Sequence, residues 1–193
     1  VSDLPSETIP LAGLRILVTR QDTPESSLSE MLTIQGASVI RMPMTMIKPP
    51  TSWALFDKTL QEASKIDWAV FTSSNGVIHC LSRLKVSGLS PKIIFSTLKI
   101  ACVGQATAST LAENEIIPEL VPEHFQSEGL LSSFKQYDLK RKMFWLIQAE
   151  SPREILANAL EKQGAQVVST PVYRNVPAES DSTFLLKMLE HTK

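Results

Sequence analysis

The chain has 193 residues, 43% of them apolar, and its 19 basic side chains balance 20 acidic ones. That balance gives no electrostatic reason to expect a nucleic acid or a membrane surface as partner, and no run of about 18 apolar residues could span a bilayer. The opening VSDLPSETIP lacks both a basic start and an apolar core, so it reads as a loose arm over 1–10 and not as a signal peptide.

In chain order, short β-branched runs alternate with longer amphipathic ones, the pattern of parallel α/β layers. Strands are predicted over 15–19, 38–42, 68–72, 99–103, 119–121, 143–147 and 166–170. Helices are predicted over 25–34, 74–84, 105–114, 127–135 and 152–163. Several strands are almost continuously apolar, as strands covered on both faces should be. Pro152 suits a first helical turn, and Gly36 and Gly164 fall just past a helix, where a left-handed residue costs glycine least. Trp53, Trp68 and Trp145 read as core.

Cys80 and Cys102 are the only cysteines, both in apolar stretches. Two reduced, structural thiols in the cytosol are expected, which places the protein in the cytoplasm. His79, His124 and His191 make no spaced pair with cysteine or carboxylate, so no metal site is expected.

Residues 14–49 match residues 142–177 without a gap at an offset of 128. Pro24/Pro152, Leu32/Leu160, Gln35/Gln163, Gly36/Gly164, Ala37/Ala165, Val39/Val167, Pro43/Pro171 and Pro49/Pro177 are identical pairs. This reads as a duplicated strand–helix–strand unit. After Pro49 the first copy continues through further strands and helices to Lys135, whereas little chain follows Pro177; the repeat arithmetic predicts about 70 further residues. Residues 51–171 are therefore expected to form a complete lobe. Residues 11–48 plus 175–193 would form a discontinuous lobe lacking its C-terminal part. The two crossings, near 44–50 and 172–177, should be extended and proline-flanked, giving a two-stranded hinge beside a ligand cleft.

Phe71-Thr72-Ser73-Ser74-Asn75-Gly76-Val77 follows a buried strand and opens a helix. Its hydroxyls and unpaired N–H groups suit an anion, while plain N-capping by Ser73 or Ser74 is the alternative. Val103-Gly104-Gln105-Ala106-Thr107-Ala108 repeats the design after the next strand, with one glycine, so it is neither a dinucleotide fingerprint nor a Walker A loop. Together the two loops would lie at the carboxyl edge of one sheet, where open α/β folds bind ligands, and point to carboxylate or phosphate binding. Arg20, at the end of the first strand, could fork onto a carboxylate or form a surface ion pair. Tyr173, on the return crossing, could act as donor or weak acid, or simply pack.

In order and spacing, LRILVTR at 14–20, GASVI at 36–40, FTSSNGV at 71–77, IACVG at 100–104 with Ala106, Thr107 and Ala108, and PVYR at 171–174 resemble uroporphyrinogen-III synthase. The resemblance covers nearly all of residues 11–178. It implies an α/β fold of two Rossmann-like, parallel-sheet, three-layer lobes joined by a two-stranded linker. It implies a lyase that takes hydroxymethylbilane, a linear tetrapyrrole with eight carboxylates, inverts the last pyrrole ring through a spiro intermediate and closes the macrocycle with loss of water. No metal or organic cofactor is implied, the chain is expected to be monomeric, and Tyr173 matches the candidate acid for hydroxyl loss. Thr72, Ser73, Ser74, Asn75, Gly104, Ala106, Thr107 and Arg20 would hold the substrate.

Two positions depart from the family's pattern: Gln21 stands where proline often follows the TR pair, and Gln148-Ala149 replaces a common Arg-Gly. A second FTSS-like loop and a second G-x-x-T loop are expected beyond Lys193. The rival reading is a non-catalytic two-lobed binding or regulatory module of the same fold. A phosphoryl-accepting receiver domain would need an acidic cluster at strand ends, and none is visible.

Overall fold

The computed structural model describes residues 10–22, 27–123 and 127–178. The arm at 1–9, the predicted helix start at 25, His124, His191 and the stretch 179–193 lie outside the described residues. The chain divides into two compact units, Val1–Ile47 with Asn175–Lys193 and Lys48–Arg174.

In the first unit, β1 (Arg15–Val18) and β2 (Ser38–Arg41) pair in parallel, joined through α1 (Leu28–Ile34). The Ser27 hydroxyl accepts from the Glu30 N–H at 3.1 Å and so caps α1. Gly36, with φ at 92°, turns the chain out of the helix. The second copy of the repeat carries the same geometry in the other unit. Arg15 pairs with Ser38 as Met143 pairs with Gln166, and Gly164 has φ at 85°. The N–H groups of Ser38 and Gln166 donate to the carbonyls of Leu14 and Lys142, each at 2.8 Å.

β3 (Thr45–Lys48) opens a five-stranded sheet whose order is β3-β7-β6-β4-β5. Its other strands are β4 (Trp68–Phe71), β5 (Lys99–Cys102), β6 (Met143–Ala149) and β7 (Gln166–Pro177), and β5-β4-β6-β7 are all parallel. β7 runs to residue 177, seven positions past the strand predicted from hydropathy, because residues 171–177 stay extended despite their prolines.

β4 is buried at all four positions, so each residue serves one of two helical layers. Trp68 and Val70 pack with Phe144, Leu146, Leu130, Phe134, Leu156 and Leu160 beneath α6 (Ser127–Phe134) and α7 (Ile155–Lys162). On the opposite face, the Trp145 ring lies 5.3 Å from Phe56 of α2 (Ala54–Gln61) and 6.1 Å from Phe95 of α4 (Pro91–Phe95). α3 (Ser74–Val86) buries Val77, Cys80 and Leu84, and α5 (Gln105–Ala112) buries Thr107, Ala108 and Leu111. Burying a phenylalanine or leucine stabilises the fold by about 1.5–3 kcal/mol per side chain, so these apolar strands carry the unit. The Trp145 indole N–H is satisfied inside the core by the Thr170 hydroxyl at 2.7 Å.

Several expectations change. Residues 119–121 make one parallel bridge, Ala101 with Leu120, and not a strand, since Pro118 and Pro122 bracket them and cannot donate to a ladder. α7 begins at Ile155, past Pro152. Trp53 is the half-buried N-cap of α2 and no core residue: its ring meets Phe56 edge-on at 5.5 Å and lies 5.2 Å beneath the Arg83 guanidinium. α2 and α4 were not predicted. Both are short, and packing of Phe56 and Phe95 on Trp145, distant in sequence, holds them in place.

Among the described residues no helix is long and apolar enough to cross a membrane, and no group of three His, Cys, Asp or Glu is placed to hold a metal ion.

Candidate functional site

β4 and β5 end side by side, Phe71 level with Cys102, so the loops that follow them emerge at one carboxyl edge. The Val103 N–H still donates to the Phe71 carbonyl at 3.1 Å, which carries the pairing up to Gly104. Thr72, Ser73, Ser74 and Asn75 are all half-buried there.

Ser73 is extended (φ −164°, ψ 157°), and its hydroxyl oxygen accepts from the Gly76 N–H at 3.0 Å, which makes it the N-cap of α3. A Cβ on Gly76 would sit 3.3 Å from the Ile147 carbonyl oxygen, so glycine lets the first turn of α3 settle onto the end of β6. Gly104 caps α5 with the same extended backbone but offers no side-chain hydrogen bond, so no side chain caps the first turn of α5. Ala106 is exposed in that turn, whereas Thr107 is 5% exposed and faces the core.

Tyr173 reaches this edge from β7. Along β6 and β7 the register runs Gln148 to Pro171 and then Ala149 to Tyr173, so Val172 is an extra residue in a bulge. A bulge re-aims the side chains beyond it, and Val172 and Tyr173 are consecutively buried as a result. The Tyr173 carbonyl accepts from the Glu150 N–H at 2.8 Å, which anchors the strand beyond the bulge. The Tyr173 phenol oxygen lies 3.1 Å from the Ser73 hydroxyl oxygen. Because that hydroxyl already accepts from Gly76, it keeps a proton with which to hydrogen-bond a phenolate.

Two neighbours escaped the sequence reading. His79 stacks on the Tyr173 ring with centroids 5.9 Å apart and planes 24° apart, and burial lowers its basicity. Its signal was helical spacing, three residues past Gly76 and four past Asn75 on one face of α3. Glu150, just past β6, accepts from the N–H and hydroxyl of Thr51, and no sequence pattern joins residues so far apart. Cys102 lies beneath the Gly104 loop. Its thiol donates to the Gly104 carbonyl at 3.7 Å, and burial pushes it up to about 11. Arg20 is exposed at the carboxyl end of β1 in the first unit.

The loops after β4 and β5 and the phenol of Tyr173 thus converge within residues 48–174. Such an edge can bind an anion through N–H groups and hydroxyls and can deliver one proton from a fixed phenol.

A family model described as uroporphyrinogen-III synthase HemD matches residues 26–193. A uroporphyrinogen-III synthase of Synechococcus elongatus is 33% identical over 166 residues, which is 86% of this chain and 62% of that one. The chain therefore spans under two thirds of that relative's length. A mutant uroporphyrinogen III synthase from the extremely thermophilic bacterium Thermus thermophilus has a similar fold, with a TM-score of 0.66 at 20% identity over 92% of this chain and 67% of that one. The uroporphyrinogen-III synthetase of Helicobacter pylori gives a TM-score of 0.55 at 16% identity, over 88% and 65% of the two chains.

Proposed function

Because this chain belongs to the uroporphyrinogen-III synthase family, we propose that the protein closes hydroxymethylbilane to uroporphyrinogen III, with inversion of the last pyrrole ring and loss of water. The observation that carries this reading is the Tyr173 phenol resting on the Ser73 hydroxyl beside the β4 and β5 loops.

Thr72, Ser73, Ser74, Asn75 and the N–H groups that follow Gly104 grip substrate carboxylates, with Ala106 and Thr107 shaping the second loop. Arg20, past the carboxyl end of β1, is assigned to a substrate carboxylate as well. Tyr173 donates its proton to the departing hydroxyl, which leaves as water. The phenolate is held by the Ser73 O–H, itself polarised through the Gly76 N–H. The substituted α-carbon of the last pyrrole ring attacks the resulting pyrrolic cation to give the spiro intermediate. The bond from that carbon to the preceding methylene bridge then breaks, and the released cation closes on the ring's other α-carbon, whose lost proton restores the phenol. Holding the bilane folded supplies part of the acceleration; well-oriented ring closures gain on the order of 7–11 kcal/mol in favourable systems. In this reading the two units are Rossmann-like lobes of a cytoplasmic monomer that uses no cofactor.

Incubating the full-length protein with hydroxymethylbilane and separating the product isomers tests the reading. The rearranged type III isomer is expected. Only the type I isomer, which forms spontaneously, would favour a binding module.

A further inference from the structure

Tyr173 is fixed at three points, and one of them has no place in the proposed chemistry. The backbone is tied through Glu150, and the phenol oxygen meets Ser73. The ring face meets His79 of α3 at a centroid distance of 5.9 Å and 24° between planes. Ring pairs at about 4.5–7 Å in offset stacks attract beyond their buried area. A stacked imidazole offers its face and not a nitrogen lone pair to its neighbour, so His79 is not placed as a base toward the phenol.

A tyrosine ring turns about two side-chain bonds, and one hydrogen bond at its tip leaves it free to swing about that bond. A second ring laid against it removes that freedom. We propose that His79 is a positioning residue whose imidazole holds the Tyr173 ring so that the phenol stays on the Ser73 hydroxyl. The inference rests on the reading that Tyr173 supplies the proton. It is consistent with the burial that lowers the basicity of His79, since the neutral ring so favoured stacks without a second charge beside the phenol. The placement follows from α3 itself: Gly76 seats the helix against Ile147, and His79 lies on the same face one turn later.

Carbon-13 at the tyrosine ζ position gives a direct readout, because Tyr173→Phe and Tyr137→Phe each remove one signal and so assign both. In the full-length protein, His79→Ala should shift the Tyr173 signal and leave the Tyr137 signal in place, and His79→Phe should restore it. With hydroxymethylbilane, His79→Ala should lower kcat roughly three- to tenfold with KM changed less than about twofold, and His79→Phe should recover kcat. An unmoved Tyr173 signal in His79→Ala, or a His79→Phe protein as impaired as His79→Ala, overturns the proposal. If His79→Ala does not fold, the wild type decides the contact: a nuclear Overhauser effect between the two rings supports it, and its absence overturns it. A wild type that forms no type III isomer would sink the functional reading, while the carbon shifts would still decide the stacking separately.

Discussion

The Glu150 carboxylate grips Thr51 twice, accepting from its backbone N–H at 2.8 Å and from its hydroxyl at 3.0 Å. These hydrogen bonds hold the Glu150 carboxyl below the ordinary value of 4.5, with the Thr51 N–H as the leading cause. Glu150 also ties Tyr173 through its own N–H, so one residue at the end of β6 fastens the segment leaving β3 and the segment carrying the phenol. A carboxyl whose folded pKa is depressed stabilises the fold above its unfolded pKa and loses that contribution as pH falls through the folded value. The difference in thermal midpoint between wild type and Glu150→Gln should therefore be full at pH 7 and shrink below about pH 4.5. A difference that does not change with pH would show that the carboxylate contributes nothing as a charged acceptor.

Tyr173→Phe removes the phenol proton and keeps the ring against His79. Turnover should fall by about 10²-fold, the lower end for a lost general acid, while affinity for uroporphyrinogen III should change less than about threefold. Single-turnover kinetics with a parallel binding titration separate the two effects. Equal, negligible changes in both would remove Tyr173 from the chemistry.

Gly76 is tight for a steric reason and not a torsional one. Its Cβ would face the Ile147 carbonyl oxygen at 3.3 Å, and a backbone atom cannot swing aside as a flexible side chain can. Gly76→Val should cost about 1–3 kcal/mol in denaturant unfolding, as overpacking does. It should also move the Tyr173 ζ-carbon signal, since α3 carries His79 and is capped by Ser73. Unchanged stability would mean that α3 has room to lift.

The thiols should be inert in the native protein. Burial raises both Cys80 and Cys102, the latter to about 11, so at pH 8 each stays protonated and enclosed. Iodoacetamide at pH 8 should label neither until denaturant is added, as intact mass would report. Rapid native labelling of Cys102 would mean that the Gly104 loop opens readily.

The sheet was legible because its strands are buried on both faces: β4 and β6 are apolar at nearly every position, and only a covered parallel strand tolerates that. The repeat was legible because Gly36 and Gly164 meet the same left-handed requirement past α1 and α7. Ser73 was legible as a cap, and Tyr173 as an isolated phenol, but not their contact, which depends on the Val172 bulge. Bulges leave little trace in a hydropathy pattern. Residues 119–121 looked like a strand from composition, yet their flanking prolines limit them to one bridge. α2 escaped because Phe56 is held by Trp145 from the far side of the sequence. His79 escaped because its partner is a ring distant in sequence, whereas histidine spacing signals only metal ligands.

Whether the Tyr173 phenol drives a rearranging closure is decided by the isomer composition of the tetrapyrrole formed from hydroxymethylbilane by the full-length wild type, measured beside the Tyr173→Phe protein. Rearranged type III product is expected from wild type and a strongly reduced type III share from the variant, because spontaneous closure to type I overtakes a slowed enzyme. Type I product alone from wild type, matching a protein-free control, would contradict it.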